Sequence, residues 1–590
     1  MLKKILGFAK VLGLLLVAAA VLSLAACGDE DQGTDDVVTD NGDNGDNGDD
    51  TDDVSDTDDG DDTDDNGGDA AMAVFAYGDT FRSETPIELS LLFRELPETP
   101  WQDDWLFVER LRDLTGVNFA GNTIAVLNDD FQTQRQLLIA SGDAPEVMPF
   151  MYGQYVAQFV PGGQLLPLDD YFEHMPHFKH YLHEWGLEDE FELQRQEDGY
   201  HYWLPGLFES IPIRFTVAMR QDILDDLGLD VPDNWDEIRE VLRAVEEEFP
   251  GSTPYFDAWG WDATSNFSAR TFGVRFGWGM GNGLVLDWET NSHQHISQMP
   301  ELRDFVEYWH SLVDEGLMNL GSFAWEEDAW EQFVNGYSFM VSTNGAPMHT
   351  SLPIDMAEIE EAGTPVGPFG VEGARIITLP IPNGPTGFVG QGRLNNGLVL
   401  NRSIREREDF IAILQFIDWL FYSEGGREFS MWGVEGRTFE WADGRRVLME
   451  GFTSPEFGHG GNIEHVDDWT QMSRDAGFNE NVWLPTQGGS NDLLLSIMSD
   501  EMREIASSNF DRVTAPPNPG PPLTVEEAEM AGPLQSQLAD ATNVAVREFI
   551  TGVTPLNDDT WDDFVQSIYN MGVPTLVEMA DEAHRRARVD

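Results

Sequence analysis

Hydrophobic positions in the first folded stretch of the chain follow two spacings. Residues 87–93 alternate between apolar and polar and then run apolar, as a buried strand does. Two further strand candidates follow, at residues 121–127 and 147–151. The segments between the strands have helical spacing and end at glycines; they are residues 105–114, before Gly116, and residues 130–141, before Gly142. Strands and helices that alternate in this way predict an α/β fold with a parallel sheet.

The folded region is large enough for at least two domains. It begins near Pro86 and covers roughly 500 residues, more than a single hydrophobic core usually serves. The chain carries 18 Trp and 36 Phe, which are ample for a large core. A proline-rich stretch at residues 515–522 (APPNPGPP) marks a late loop between helical segments.

The charge of the chain excludes some partners. The formal net charge is -74, and the folded region is itself strongly acidic. Beyond residue 27 lysine is confined to Lys179, and arginine supplies the other basic side chains. Such a surface repels nucleic acid and anionic lipid. It suits an extracytoplasmic protein in salty surroundings, so we expect a halophilic habitat and lower stability without salt.

The first 27 residues predict export and lipidation. Lys3, Lys4 and Lys10 form a basic region, and the apolar run at residues 11–24 is too short to span a bilayer comfortably. Leu-Ala-Ala-Cys at residues 24–27 resembles the bacterial lipobox, and this resemblance implies a lipid on Cys27 and cleavage before it. Cys27 is the single cysteine of the chain, so no internal disulfide can form. An ordinary signal peptide is the alternative.

Residues 28–84 are predicted to form a disordered acidic tether. Up to about residue 70 they consist largely of Asp, Asn, Gly and Thr, which bury little and repel one another. A calcium loop is the alternative, because Asp62, Asp64, Asn66 and Gly67 match the start of an EF-hand. Ala73 stands where that loop needs its bidentate glutamate.

Several segments, in order, resemble the bacterial extracellular solute-binding proteins of family 1. They are residues 140–147 (ASGDAPEV), 163–171 (GQLLPLDDY), 198–205 (DGYHYWLP), 219–229 (MRQDILDDLGL), 232–237 (PDNWDE), 333–340 (FVNGYSFM), 432–439 (WGVEGRTF), 549–552 (FITG), 561–564 (WDDF) and 571–572 (MG). The third segment departs from the family pattern at Tyr200 and His201, where a lysine and an aliphatic residue are usual. The segment at 432–439 is typical of the oligosaccharide-binding lipoproteins in this group.

The resemblance implies a fold and a function. The implied fold is the two-lobed periplasmic-binding-protein-like fold (type II), with residues 85–212 and 372–428 in lobe one and residues 213–371 and 429–590 in lobe two. The implied function is that of a substrate-binding lipoprotein of an ABC importer, monomeric and held on the outer face of the cell membrane. Its expected partners are a carbohydrate ligand and the permease subunits, and no cofactor or metal is expected.

Candidate ligand-binding residues follow from the chemistry of sugars and from the family resemblance. Sugar rings have apolar faces and polar rims, so sugar clefts combine stacking aromatic rings with carboxylates and amides. In the family, the loop after the third strand and the segments near the crossovers face the cleft. The predicted ligand-binding residues are Phe150, Tyr152, Trp203, Trp261, Asn344, Gln391, Arg393, Trp432 and Glu435.

Other functions remain open at this point. A surface-anchored glycoside hydrolase is one, because paired carboxylates abound in a chain with 107 acidic residues. The chain lacks a Gly-x-Ser-x-Gly elbow, a His-Glu-x-x-His pair, a Walker A loop and a dinucleotide fingerprint. A binding protein for peptides or metals is another. His174, His177, His180 and His183 recur every third residue, a spacing that suits a partly exposed helix better than a metal site.

Overall fold

The computed structural model of the chain describes residues 70–587 with short gaps. The gaps are residues 98, 212–214, 325–327, 345–351, 353–354, 358, 364, 390–391, 455–468, 479–487 and 511. The signal peptide, the lipidation of Cys27, most of the tether and the predicted role of Gln391 therefore lie outside the described residues.

The strands are short, and most of them belong to two sheets. In chain order they are β1 (Ile87–Glu88), β2 (Leu91–Glu95), β3 (Val117–Asn118), β4 (Thr123–Leu127), β5 (Val147–Met151), β6 (Leu204–Leu207), β7 (Thr216–Arg220), β8 (Thr253–Phe256), β9 (Leu284–Asp287), β10 (Ser292–His295), β11 (Ser338–Thr343), β12 (Ile376–Thr378), β13 (Leu394–Leu400), β14 (Phe439–Ala442), β15 (Arg445–Leu448), β16 (Phe452–Thr453) and β17 (Thr470–Gln471).

The helices pack around both sheets. They are α1 (Leu106–Thr115), α2 (Asn128–Ser141), α3 (Pro176–Glu184), α4 (Glu188–Glu192), α5 (Gln221–Leu227), α6 (Trp235–Glu248), α7 (Asp262–Phe272), α8 (Pro300–Asp314), α9 (Asp328–Val334), α10 (Phe410–Tyr422), α11 (Glu424–Trp432), α12 (Asn491–Ser496), α13 (Asp500–Ser508), α14 (Val525–Ile550), α15 (Asp558–Asn570) and α16 (Val573–Ala587). Over the described part of the chain, none of the helices combines the length and the apolar character needed to cross a membrane.

The first sheet has five strands in the order β4-β2-β5-β13-β6. β2 pairs in parallel with β4 and β5, so the predicted parallel arrangement is observed. β13 comes from far along the chain and pairs antiparallel with β5 and β6. The predicted glycine stops are also present: Gly116 and Gly142 end α1 and α2 with φ of 81°, a left-handed conformation that glycine adopts without strain.

The second sheet has four strands in the order β12-β7-β11-β8. β11 pairs in parallel with β8 and antiparallel with β7, and β12 pairs antiparallel with β7 on its other side. Every residue of β7 and β11 is buried, as expected of central strands that carry helices on both faces.

Two separate hydrophobic cores define the lobes. The core of lobe one draws on residues 70–207 and 398–497, and the core of lobe two draws on residues 211–389 and 531–580. The chain therefore crosses between the lobes near residues 207–211, 389–394 and 498–523.

These borders differ from the predicted ones in two places. The described apolar residues between Phe429 and Ile497, expected in lobe two, pack in the core of lobe one, because α11 follows α10 directly and its side chains join the same cluster. Residues 376–378, expected in lobe one, form β12 on the lobe-two sheet, where Ile377 lies opposite Met219. Both differences arise from pairings between distant segments.

The start of the folded region also lies earlier than predicted. Residues 70–84 were expected in the tether, yet Ala70 and Phe81 are buried in lobe one. The amide of Met72 donates to Gln415 Oε1 at 2.9 Å, and the amide of Gly78 donates to His177 Nε2 at 3.0 Å. The physical reason is a change of composition at residue 70, after which apolar and aromatic side chains replace the acidic repeat.

Candidate ligand-binding site

The path of the chain identifies the edge of the lobe-one sheet that faces the crossovers. The first crossover leaves β6 at Leu207, and the second returns to β13 at Leu394, directly opposite. β13 runs antiparallel to β5, with Gly397 opposite Met151, so β5 ends at this same edge. Ligands of open α/β sheets bind outside the carboxyl ends of the strands. We call this side of the sheet the lobe-one edge.

The path of the chain also identifies the edge of the lobe-two sheet that faces the crossovers, which we call the lobe-two edge. The first crossover enters β7 at Thr216, which lies opposite Thr343 at the end of β11. β8 runs parallel to β11 and ends at the same side, with Phe256 paired to Val341. The loop after β8 and Asn344, which directly follows β11, therefore belong to the lobe-two edge.

Four aromatic rings form a connected group at the lobe-two edge. The ring of Trp259 lies 5.3 Å from that of Phe215, 6.3 Å from that of Trp278 and 4.7 Å from that of Trp330, measured between centroids. Trp278 is 42% exposed, and the other three rings are partly exposed. Aromatic surface that stays accessible beside a cleft is available to stack on a ligand.

The loop after β8 holds the group in an unusual backbone conformation. Trp259, Gly260 and Trp261 have φ of 54°, 61° and 71°, so three successive residues are left-handed. This conformation costs a tryptophan of order 1 kcal/mol or more, and such strain concentrates at functional sites. The turn leaves Trp259 at the edge and directs Trp261 into the core.

A buried carboxylic acid lies directly before this loop. Asp257 is 1% exposed, and burial raises its pKa to about 7. Thr264 donates to its Oδ1 at 2.9 Å, and its Oδ2 is buried without a hydrogen-bond partner in the described part of the chain. Below pH 7 the acid is therefore neutral, and it adds no charge to the lobe-two edge.

Three of the predicted residues meet at the lobe-one edge. Trp203 is buried and donates its Nε1–H to the carbonyl oxygen of Met151 at 2.8 Å, which fixes the chain just before Tyr152. Phe150 is buried with a left-handed φ of 56°, and Tyr152 is partly exposed. Asn396 donates to the Tyr152 hydroxyl at 3.5 Å from the neighbouring strand β13. The structure thus brings Phe150, Tyr152 and Trp203 together.

Two arginines that were not predicted lie in this group. The Arg94 guanidinium carbon is 4.0 Å from the centroid of the Phe150 ring. Arg135 on α2 is buried and donates from Nη1 to the carbonyl oxygen of Phe150 at 2.6 Å. Burial lowers the pKa of both groups, that of Arg135 to about 10.

Two of the predicted tryptophans are core side chains. Trp261 has no exposed surface and stacks on Phe305 at 5.7 Å in the lobe-two core. Trp432 is also fully buried, in the core of lobe one, and donates its Nε1–H to Ser496 Oγ at 2.9 Å. Neither ring offers a face to a ligand in this structure.

The remaining predicted residues are dispersed. Asn344 is exposed directly after β11, at the lobe-two edge. Arg393 lies at the second crossover, and its guanidinium donates to the carbonyl oxygens of Glu209 and Gly186 at 3.1 and 3.3 Å. Glu435 is exposed on a turn after α11, and its backbone pairs with that of Phe439. Ligand binding by each of them stays a prediction.

The histidines of residues 174–183 have separate partners. His177 is buried, with Nδ1 2.8 Å from Asp418 Oδ2. His180 stacks on the ring of Tyr77 with 3.7 Å between centroids, and the two outer histidines lie beside glutamates. Over residues 70–587, gaps excepted, no three His, Cys, Asp or Glu side chains are grouped as a metal site.

A surface cavity of about 670 Å³ lies elsewhere, beyond the amino end of β5. Its lining includes Asp143, Gln164, Arg402 and Arg405 and contains no aromatic ring. It is on the side of the lobe-one sheet that faces away from the crossovers. The aromatic groups and the chain path both favour the opposite edge.

Comparison with known sequences finds a partial match to one family. Residues 122–279 match the model described as bacterial extracellular solute-binding protein. The lipoprotein LipO of Bacillus subtilis (strain 168) is 25% identical over 250 residues, which make up 40% of this chain and 46% of LipO. The chain therefore matches less than half the length of this curated relative.

Comparison with solved structures confirms the two-lobed fold. The alginate-binding protein AlgQ2 superposes with a TM-score of 0.61 at 18% identity, over 86% of this chain and 99% of AlgQ2. An HMO-binding, ABC-transporter-associated solute-binding protein from Bifidobacterium longum infantis gives 0.58 at 16% identity, over 86% of this chain and all of that one. At identities this low, the superpositions establish the architecture alone.

Proposed function

We propose that the chain is a bacterial extracellular solute-binding protein and that it captures a carbohydrate, most simply an oligosaccharide, for an ABC importer. The family and its structural neighbours are binding proteins and not enzymes. The observation that carries the proposal is the aromatic group of Phe215, Trp259, Trp278 and Trp330 at the lobe-two edge.

The aromatic group suits a sugar ring better than a peptide or a metal ion. A pyranose presents C–H groups on one face and hydroxyls around its rim, so an indole covers the face and leaves the rim to polar groups. Trp278 has an accessible surface, and Asn344 supplies an exposed amide at the same edge. Two structural neighbours, the alginate-binding protein AlgQ2 and the HMO-binding protein, bind carbohydrates, which supports the same class of ligand here.

Closure of the two lobes would deliver the ligand. A ligand that contacts both edges binds the closed form more tightly than the open form, and so shifts the population toward closure. The three crossovers are the segments at which such a hinge would act. A permease that docks on both lobes would then distinguish the loaded from the empty protein.

Membrane attachment completes the proposal. We infer that Cys27 carries a lipid and that the acidic residues after it form a tether, because of the lipobox resemblance and the composition. The tether would join lobe one at Ala70, where the chain enters the hydrophobic core. The protein would then act on the outer face of the cell membrane.

The test is a search for binding without turnover. The purified protein is screened on a glycan array and by thermal shift, and the best ligand is titrated calorimetrically. Trp259→Ala and Trp278→Ala should each weaken binding roughly tenfold, as expected for the loss of one stacking contact. Trp441→Ala is the matched control, because Trp441 is 47% exposed on the β14–β15 hairpin of lobe one.

Three results would contradict the proposal. Cleavage of the bound glycan would show an enzyme. Equal affinities for all three variants and the native protein would remove the aromatic group from the site. A large thermal shift with peptides or zinc, and none with any glycan, would favour the other classes of ligand.

A further inference from the structure

We propose that the ligand is an acidic saccharide, of the uronic acid class, and that Arg94 at the lobe-one edge binds its carboxylate. The inference rests on the proposed function, because it names the chemistry of the ligand in the same cleft. It is carried by a cation that has no counter-ion among the described residues of a very acidic chain.

Arg94 is positioned to receive a ligand. It is the fourth residue of β2, and its guanidinium stacks on the Phe150 ring at 4.0 Å. Stacking covers the flat face of the group and leaves the N–H bonds in its plane free to donate. Its Nε is buried without an acceptor, and no carboxylate of the described residues lies within salt-bridge distance of it.

Arg94 differs from several other arginines of the same lobe in its surroundings. The chain has 107 acidic residues against 33 lysines and arginines. Other arginines of lobe one are held by acids: Arg195 by Asp169 at 2.6 Å, and Arg446 by Glu428 at 2.6 Å. Arg94 has no such partner among the described residues, so its guanidinium is available to an anionic ligand.

A second cation raises the positive potential at the same place. Arg135 is 1% exposed, and its Nη1 donates to the carbonyl oxygen of Phe150, while its Nε has no partner among the described residues. Its Nη2 donates to Gln132 Oε1 at 2.5 Å, and no carboxylate of the described residues lies within salt-bridge distance of it. A buried cation without a counter-ion is costly, and an anionic ligand would offset that cost.

Neutral polar groups beside Arg94 suit the rest of a sugar. The Tyr152 hydroxyl is accessible, and the Oδ1 atom of Asn396 is buried without a donor in the described part of the chain. A sugar hydroxyl can donate to that amide oxygen while the carboxylate of the same ring accepts from Arg94. Two N–H bonds of a guanidinium match the two oxygens of a carboxylate, which favours this anion.

The test compares one saccharide with and without its charge. The probes are trigalacturonate, trimannuronate, the methyl ester of each, and a sulfated carrageenan oligosaccharide of similar length. We expect the native protein to bind at least one uronate ten times or more tightly than its ester. Arg94→Met should weaken binding of that uronate by roughly 10- to 100-fold and leave the ester within twofold. Arg94→Lys should fall between, because it keeps the charge and loses the planar fork.

Arg402→Met is the matched control. Arg402 is exposed in the same lobe at the opposite edge of the sheet, so its loss changes the net charge equally. It should change the affinity for the uronate by no more than about twofold, since exposed charges at that distance are screened. Melting curves check that each variant is folded. The ratio of the native protein's affinities for the uronate and for its ester tests the inference without any variant.

The outcomes separate this inference from the proposed function. Equal affinity for acid and ester, or an equal effect of Arg402→Met and Arg94→Met, would overturn the inference. Preference for the sulfated oligosaccharide over both uronates would overturn the choice of carboxylate. Tight binding of neutral glycans alone would leave the proposed function standing without the inference, and the absence of any glycan binding would overturn both.

Discussion

The two edges that face the crossovers have opposite chemistry. The lobe-two edge offers accessible aromatic surface, and the buried acid Asp257 at that edge is neutral below pH 7. The lobe-one edge offers two guanidinium groups, Arg94 and Arg135, with phenols and amides around them. Aromatic surface for stacking thus lies at the lobe-two edge, and positive charge lies at the lobe-one edge.

This separation explains how a ligand could drive closure. A sugar that lies on one edge alone obtains either stacking or an ion pair, and it obtains both only when the lobes approach. Its affinity for the closed form then exceeds that for the open form, which is the condition for a shift in population. Substitutions at each edge can show whether lobe two contributes stacking and lobe one contributes charge.

The largest effect is expected from the core tryptophan of lobe two. Trp261→Ala should lower the free energy of unfolding by about 3–5 kcal/mol, because it empties a fully buried site beside Phe305. Trp278→Ala, only a short distance along the chain, should lower it by less than about 1 kcal/mol, since its ring is half in solvent. Urea unfolding curves measure both; similar losses would mean that Trp278 is a packing residue and not an accessible one.

Asp257 should make stability depend on pH. Burial raises its folded pKa to about 7, above the ordinary value of 3.8, so the folded state holds a proton that the unfolded state has released. Stability from this group is therefore present below pH 4 and lost as the pH rises toward 7, by on the order of 4 kcal/mol.

Asp257→Asn isolates this contribution from the many surface acids. Between pH 4 and 7 the native protein should lose stability relative to Asp257→Asn, so the unfolding free energy of the variant minus that of the native protein should increase. Above pH 7 this difference should stay constant. A constant difference over that range would show that Asp257 titrates normally.

Stacking and charge should respond differently to the ligand. Trp259→Ala should weaken binding of a uronate and of its methyl ester by the same factor, roughly tenfold, because the ring contact does not depend on charge. Calorimetric titrations of the two ligands give the ratio directly. An effect of Trp259→Ala on the acid alone would mean that the two edges do not have separate roles.

The smallest effect is expected from a neutral hydrogen bond at the lobe-one edge. Tyr152→Phe removes the hydroxyl that accepts from Asn396 and leaves the ring in place. Binding should weaken about two- to fivefold, the usual range for a neutral hydrogen bond. A loss as large as that of Arg94→Met would move the centre of recognition from the arginine to the phenol.

Local patterns predicted the fold where contacts are local. The strand at 147–151 and the glycine ends of α1 and α2 were found at the expected positions, since each depends on its own few residues. The lobe borders were displaced because β12 and residues 429–497 take their places through pairings with segments far away in sequence. Such pairings leave no periodic signal in one sequence.

The positions of the candidate residues in the fold were predictable in part for the same reason, and their binding of a ligand stays a prediction. Phe150 and Tyr152 could be placed because they end a recognisable strand. Trp261 and Trp259 could not be told apart, because a left-handed turn between them sends one to the core and one to the edge. Arg94 left little signal, because it is followed by Glu95 at the polar end of its strand, and Arg135 sits in a helix in which arginine is ordinary.

The most direct measurement is a crystal structure of the protein with the saccharide that gives the largest thermal shift. We expect one saccharide between the lobes, with a ring against Trp259 or Trp278 and a carboxylate on Arg94. A saccharide bound in the cavity beside Gln164 and Arg402, or on one lobe with no contact to the other edge, would contradict it.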